Sequence, residues 1–249
     1  MKGGKTYTHP GQGNPDSVEY AGPVDPEVGV LGVWGADDRL AGCIVNFACH
    51  ATTSPRGISA NYIYYLEKMI RGFHGDQAIV VFLPGYSGDV TQVDNLSPFA
   101  NPGGDQWAQI VGGQIGAEAA KALLTMARGT LLPLDARSVL LSISRRKPDP
   151  RRVQAAHAIA TKDPKETDPT TWAFSKEIVL LNALMEKSVT ADVEVQAIQV
   201  GPAVFLTSPG EMFCEYQLDE KKRSPFPFTF CVSVANGFNG YIPTPEAFM

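Results

Sequence analysis

The chain has 249 residues, 44% of them hydrophobic and 19% charged, which is an ordinary globular composition with ample length for a core. The net charge of -5 and the lack of any Lys/Arg stripe beyond Lys221-Lys222-Arg223 exclude a nucleic-acid binder, and that short run reads as a solvated helix end. No stretch reaches the roughly 18 apolar residues that a transmembrane helix needs.

Residues 1–27 are rich in Gly and Pro and lack periodicity, so they read as an irregular arm. Met1–Asn14 has no apolar region of the kind a secretory signal carries. Strands are expected over 28–35 and 39–48. The second alternates Cys43, Val45 and Phe47 against Ile44 and Asn46 and is apolar on both faces, as a strand covered on both sides would be.

Ile63, Leu66, Ile70 and Phe73 recur at helical spacing and predict a helix over 60–73. A short buried strand follows at 77–83, then a loop forced by Pro84, Gly85 and Gly88. Residues 105–127 predict a long helix. Its Gly112, Gly113 and Gly116 each weaken it by about 1 kcal/mol relative to Ala, so it needs close packing against a neighbour.

Residues 137–145 alternate as a strand, with Val139, Leu141 and Ile143 on one face. Helices are expected at 149–161 and 170–187. A hairpin is expected around Gly201-Pro202, joining strands 191–200 and 202–207. A short helix over 211–223, a strand over 228–234 and a glycine-rich loop complete the chain. This mixture predicts an α/β (α+β) class: one domain over 1–249, with a mixed β-sheet core and flanking helices. The four cysteines, Cys43, Cys49, Cys214 and Cys231, form no CxxC pair and read as buried free thiols.

Four loops carry the candidate chemistry. His50 leaves an apolar strand for a polar turn. Most lone histidines are satisfied by backbone rather than bound to metal. Glu211 sits where a buried strand delivers a carboxylate to a helix start, which equally suits a helix macrodipole, with Ser208 as a possible cap. Asn236 to Thr244 is a glycine-bearing loop that could turn Tyr241 inward. Gly85 to Gln92 could offer backbone amides to an oxyanion, but it matches neither a phosphate loop nor a nucleophile elbow.

Taken in order, these loops resemble the catalytic domain of the neutral/alkaline, non-lysosomal ceramidases. Asn46-Phe47-Ala48-Cys49-His50 resembles the family's N-F-A-x-H metal motif, and Pro209-Gly210-Glu211 its P-G-E metal motif. Gly88-Asp89-Val90-Thr91 resembles its G-D-V-S-P-N segment, and Gly240-Tyr241-Ile242-Pro243-Thr244 its Y-[IV]-x-T motif. Val24 to Leu31 resembles the segment leading into its first strand here.

The resemblance implies a zinc-dependent amide hydrolase acting on a small-molecule or lipid amide through a metal-activated water. His50, Glu211 and Tyr241 are then metal residues, and Tyr241, Asp89 and Thr91 catalytic candidates. The family's first metal histidine, in a T-H-T-H-S-G-like motif, has no counterpart in this sequence, and Thr91-Gln92 stands where ceramidases carry Ser-Pro. The expectation is therefore a domain truncated at both ends, with a partial zinc site and impaired activity. Its open sheet edges are expected to pair as a homodimer. Two alternatives stand beside it: a hydrolase of the same fold acting on another amide or ester, and a non-catalytic interaction module.

Overall fold

The computed structural model describes residues 1–4 and 6–248. Lys5, within the expected arm, and Met249 lie outside the described residues. The chain divides into two compact units, residues 1–138 with 195–249, and residues 139–194.

In the first unit, β1 (Gly29–Trp34) pairs antiparallel with β2 (Leu40–Phe47), and β2 pairs parallel with β3 (Ile79–Pro84). The parallel pair requires a crossover, which α1 (Tyr62–His74) supplies. The helix α2 (Gly104–Thr125) lies against α1. Cys43 and Val45 of β2 pack with Tyr62, Leu66 and Ile70 of α1 and with Ala108, Val111, Ile115 and Ala119 of α2. Ile44, on the other face of β2, joins Phe205 and Phe230. The two-sided apolar pattern of β2 thus reports two-sided cover.

The buried stripe of α1 is Tyr62, Leu66 and Ile70, at intervals of four, while Phe73 is exposed. The glycines of α2 divide by role. A Cβ on Gly112 would strike the carbonyl oxygen of Tyr62, and one on Gly116 would lie 2.8 Å from that of Leu66. At Gly113 the nearest neighbour would be Met69 Cε at 3.9 Å. Two of the three glycines therefore set the approach of the helices.

β4 (Leu134–Ser144) runs from the first unit into the second, and β5 (Thr190–Val200) from the second back into the first. With β6 (Ala203–Thr207) and β8 (Phe228–Val232) they form a sheet in the order β4-β5-β6-β8. β5 and β6 make the expected hairpin, Val200 opposite Ala203, with Gly201 turning at φ 57°. β6 and β8 are parallel, with α5 (Cys214–Arg223) between them in the chain. Asn46 is buried, and its side-chain amide donates to the carbonyls of Leu83 and Cys231, both at 2.9 Å. It thereby ties β2, β3 and β8 together near their C-terminal ends.

The second unit holds the remaining parts of β4 and β5, with α3 (Pro150–Ala160) and α4 (Pro169–Lys187) packed on each other. Both helices open with Asp-Pro. Asp149 and Asp168 accept from first-turn amides, and the proline occupies the position where no amide is needed. Along β4 the expected apolar face is not covered: Val139, Leu141 and Ile143 are exposed.

The arm before β1 contains no strand or helix among its described residues, yet it is tied down. Gln12 donates to Phe99 O at 2.6 Å, Tyr20 to Asp94 at 2.6 Å, and Asp25 receives Lys221 at 2.8 Å. Lys221 is accordingly no solvated helix end. It pairs with Asp25 and with Glu27 at 3.1 Å, and its side chain is 17% exposed. Charge-run composition could not show this, because the arm supplies the partner.

Candidate metal centre

The four loops singled out in the sequence all leave the C-terminal ends of parallel strands: β2, β3, β6 and β8. Ligands bind outside such ends in open α/β sheets, where loops diverge around a crevice. Ser233 N donates to Pro84 O and Ser208 N to Val232 O, both at 2.9 Å, so the loops start side by side.

His50 follows β2 by three residues, and its amide donates to Val90 O at 3.1 Å. Glu211 stands elsewhere than expected. It lies not in a first helical turn but in β7 (Glu211–Met212), paired parallel with β9 (Tyr241–Ile242). Helix α5 begins only at Cys214, and Ser208 turns its hydroxyl to Gly210 N at 3.3 Å rather than to a helix. The short ladder puts Glu211 and Tyr241 in register, and Glu211 N donates to Gly240 O at 2.9 Å. Gly240 holds φ 75°, which a side chain would strain.

The three side chains converge. His50 Nε2 lies 3.6 Å from Glu211 Oε2 and 3.3 Å from the Tyr241 hydroxyl, with the two rings edge-on. The His50 and Glu211 side chains are 28% and 17% exposed. Partial burial and the hydrogen-bonded Glu211 carboxylate push the Tyr241 phenol above its usual range. The His50–Glu211 separation is too long for a hydrogen bond. Among the described residues, no group of three or more His, Cys, Asp or Glu is placed to hold a metal. The donor set is one imidazole, one carboxylate and one phenol.

Asp89 and Thr91 do not join that trio as free groups. Asp89 Oδ1 accepts from Cys214 N at 2.7 Å, capping α5, whose own N-cap Phe213 offers no side-chain bond. Burial raises the Asp89 carboxyl above its ordinary range, against the Cys214 hydrogen bond and the attraction of His50. Thr91 gives its hydroxyl to Gln92 Oε1 at 3.1 Å, and Thr52, two residues after His50, gives its own to the same oxygen at 2.9 Å. Sequence reasoning missed Gln92 as a link between loops. It also missed Asn46, Asp25 and Gln217, whose long-range partners lie 37 to 196 residues away. The thiols are buried and free, and burial pushes Cys43 up to about 11 and Cys49 to about 12, so they are not reactive thiolates.

Among the described residues, mixed sheets with five α-helices define an α/β protein. Its fold is that of the neutral ceramidases. The chain is similar to the neutral ceramidase from Pseudomonas aeruginosa, with a TM-score of 0.62 and 17% identity, over 90% of this chain and 42% of that one. It is also similar to a ceramidase complexed with C2, with a TM-score of 0.65 and 17% identity, over 94% of this chain and 45% of that one. The chain thus spans less than half the length of either. No protein-family model and no curated protein matches it.

Proposed function

We propose that residues 1–249 form a single catalytic domain of a zinc-dependent hydrolase that cleaves N-acyl amides, with His50, Glu211 and Tyr241 as metal residues. The observation that carries this reading is the convergence of their donor atoms at 3.3 and 3.6 Å. Donors sharing one tetrahedral zinc at about 2.0–2.1 Å stand roughly 3.3 Å apart, and nitrogen with oxygen donors suits that ion. Bound there, zinc supplies Lewis acidity toward an amide carbonyl and toward water. His50 presents Nε2 on a backbone fixed by Val90. Tyr241 can donate its hydroxyl to the oxyanion that develops on an attacked carbonyl. Glu211 and Tyr241 keep their spacing through the β7–β9 ladder.

With no counterpart to the first metal histidine of the resembled family, binding is weak and activity impaired. Cobalt or zinc titration of the purified chain, followed by calorimetry and absorbance, tests the site. One weak equivalent is expected, lost at least about tenfold in His50→Ala and Glu211→Gln. Binding that ignores both substitutions, or none at millimolar metal, overturns it.

One observation favours a substrate other than ceramide. The Thr91 hydroxyl is committed to Gln92, where ceramidases carry Ser-Pro. Assays of N-acyl sphingosines against simple N-acyl amines and esters separate the two; robust ceramide turnover removes the second reading.

We also propose that the chain self-associates. β4 ends its sheet, and Leu134, Val139, Leu140 and Leu141 are exposed along it. Such an edge offers unpaired backbone groups to another strand. Among the described residues no helix is long and apolar enough to cross a membrane.

A further inference from the structure

Helix α5 turns polar side chains inward, where a polar group is costly unless paired. Gln217 is 1% exposed and uses both ends of its amide. Its Oε1 accepts from Tyr86 N at 2.9 Å, and its Nε2 donates to Asp25 Oδ2 at 2.6 Å. One turn on, Glu220 accepts from Cys231 Sγ at 3.5 Å and hydrogen-bonds the Tyr86 side chain. Tyr86, 2% exposed, is thus held by α5 through both its backbone and its ring.

Tyr86 belongs to the loop that separates the proposed metal residues. On one side, Gly85 passes so near that a Cβ would lie 2.9 Å from the Ala48 backbone, and Val90 O receives His50 N. On the other, Gly88 N donates to Met212 O at 2.8 Å, and a Cβ there would lie 2.5 Å from Glu211 O. The loop from Gly85 to Val90 is therefore a spacer. Its thickness sets the distance from the His50 backbone to the Glu211 backbone, and two residues without Cβ keep it thin.

We infer that Gln217 is a positioning residue for the His50–Glu211–Tyr241 site, acting by fixing the Tyr86 amide and so the seating of this spacer. The inference rests on the metal reading proposed above. It assigns Gln217 no contact with substrate or metal. What it requires is that the acceptor at Gln217 Oε1 be present.

Three variants separate positioning from general stability. Gln217→Met keeps the volume and loses both hydrogen bonds. Gln217→Glu keeps an acceptor for Tyr86 N but faces Asp25 with a like charge. Asp25→Asn breaks the Lys221 pair and leaves Tyr86 N in place. Each is melted, titrated with Co²⁺ and followed by amide exchange at Tyr86, His50 and Val90. The expected result is at least a tenfold loss of Co²⁺ affinity in Gln217→Met, near-wild-type affinity in Gln217→Glu and Asp25→Asn even where their melting temperatures fall, and faster exchange at Tyr86 and His50 in the methionine variant alone. Equal affinity in Gln217→Met and wild type, or losses that track melting temperature across all three, overturns the inference.

Should wild type bind no Co²⁺, the metal reading fails, and exchange at Tyr86 and His50 still decides whether Gln217 seats the spacer. Should Gln217→Met not fold, Gly85→Ala displaces the same loop, because the added Cβ would lie 2.8 Å from Gln217 Oε1 and 2.9 Å from the Ala48 backbone. The same loss of affinity and faster His50 exchange are then expected, and wild-type values for both overturn the inference.

Discussion

Asp25 is 5% exposed and carries its charge among three donors: Lys221 Nζ, Gln217 Nε2 and the Glu27 amide. Burial opposes ionisation, but these hydrogen bonds outweigh it and hold Asp25 below the usual carboxylate value of 3.8. A depressed carboxyl contributes stability above its unfolded value and loses it as pH falls through the folded one. Unfolding free energy should therefore drop on acidification below about pH 4, and more steeply in wild type than in Asp25→Asn. The variant should lose about 2 kcal/mol near neutrality, since Lys221 keeps only Glu27. Urea melts from pH 2 to 7 check both; parallel acid limbs would show that Asp25 is not the titrating group. Little of this was legible in the sequence. Val24 to Leu31 stood out as a segment, but the side-chain partners of Asp25 lie near residue 220, and spacing along a chain carries no information about such pairs. His50, Glu211 and Tyr241 were legible only through their ordered motifs, because each alone fits an ordinary structural role.

At the scale of elements, helical spacing located α1 and α2, and the glycines of α2 pointed to a close neighbour without naming it. Their roles now divide. Gly112→Ala should cost about 1–3 kcal/mol, because its methyl meets Tyr62 backbone that cannot retreat without moving α1. Gly113→Ala should stabilise by up to about 1 kcal/mol, since the added Cβ meets only a methionine tip at 3.9 Å. Thermal denaturation of the pair reads the contrast, and similar shifts in both would refute the packing argument. In the second unit, Asp149→Ala should cost about 1 kcal/mol through the loss of bonds to the Arg151 and Arg152 amides. The helix expected over 211–223 was too long by its first three residues. Helical spacing cannot register a two-residue strand, whose only signature is its partner thirty residues on at Tyr241–Ile242.

For the whole molecule, the prediction concerns association. β4 exposes Leu134, Val139, Leu140 and Leu141 at the end of a sheet. Sedimentation equilibrium should show mass rising toward a dimer over the micromolar range. A charge placed on the edge, Leu140→Lys, should return the mass to that of the monomer. A concentration-independent monomer would remove the proposal. By itself, the sequence determined the α/β class, the order of the main elements, the double-faced cover of β2 and the four loops where chemistry could sit. It did so because period, turn residues and motif order are local properties. Only the tertiary structure brought Glu211 and Tyr241 to within 3.6 Å of His50, put Glu211 on a strand opposite Tyr241, and seated a thin loop between the His50 and Glu211 backbones. Those distances depend on hydrogen bonds and close contacts between segments up to 196 residues apart, which fold topology sets and local sequence does not encode.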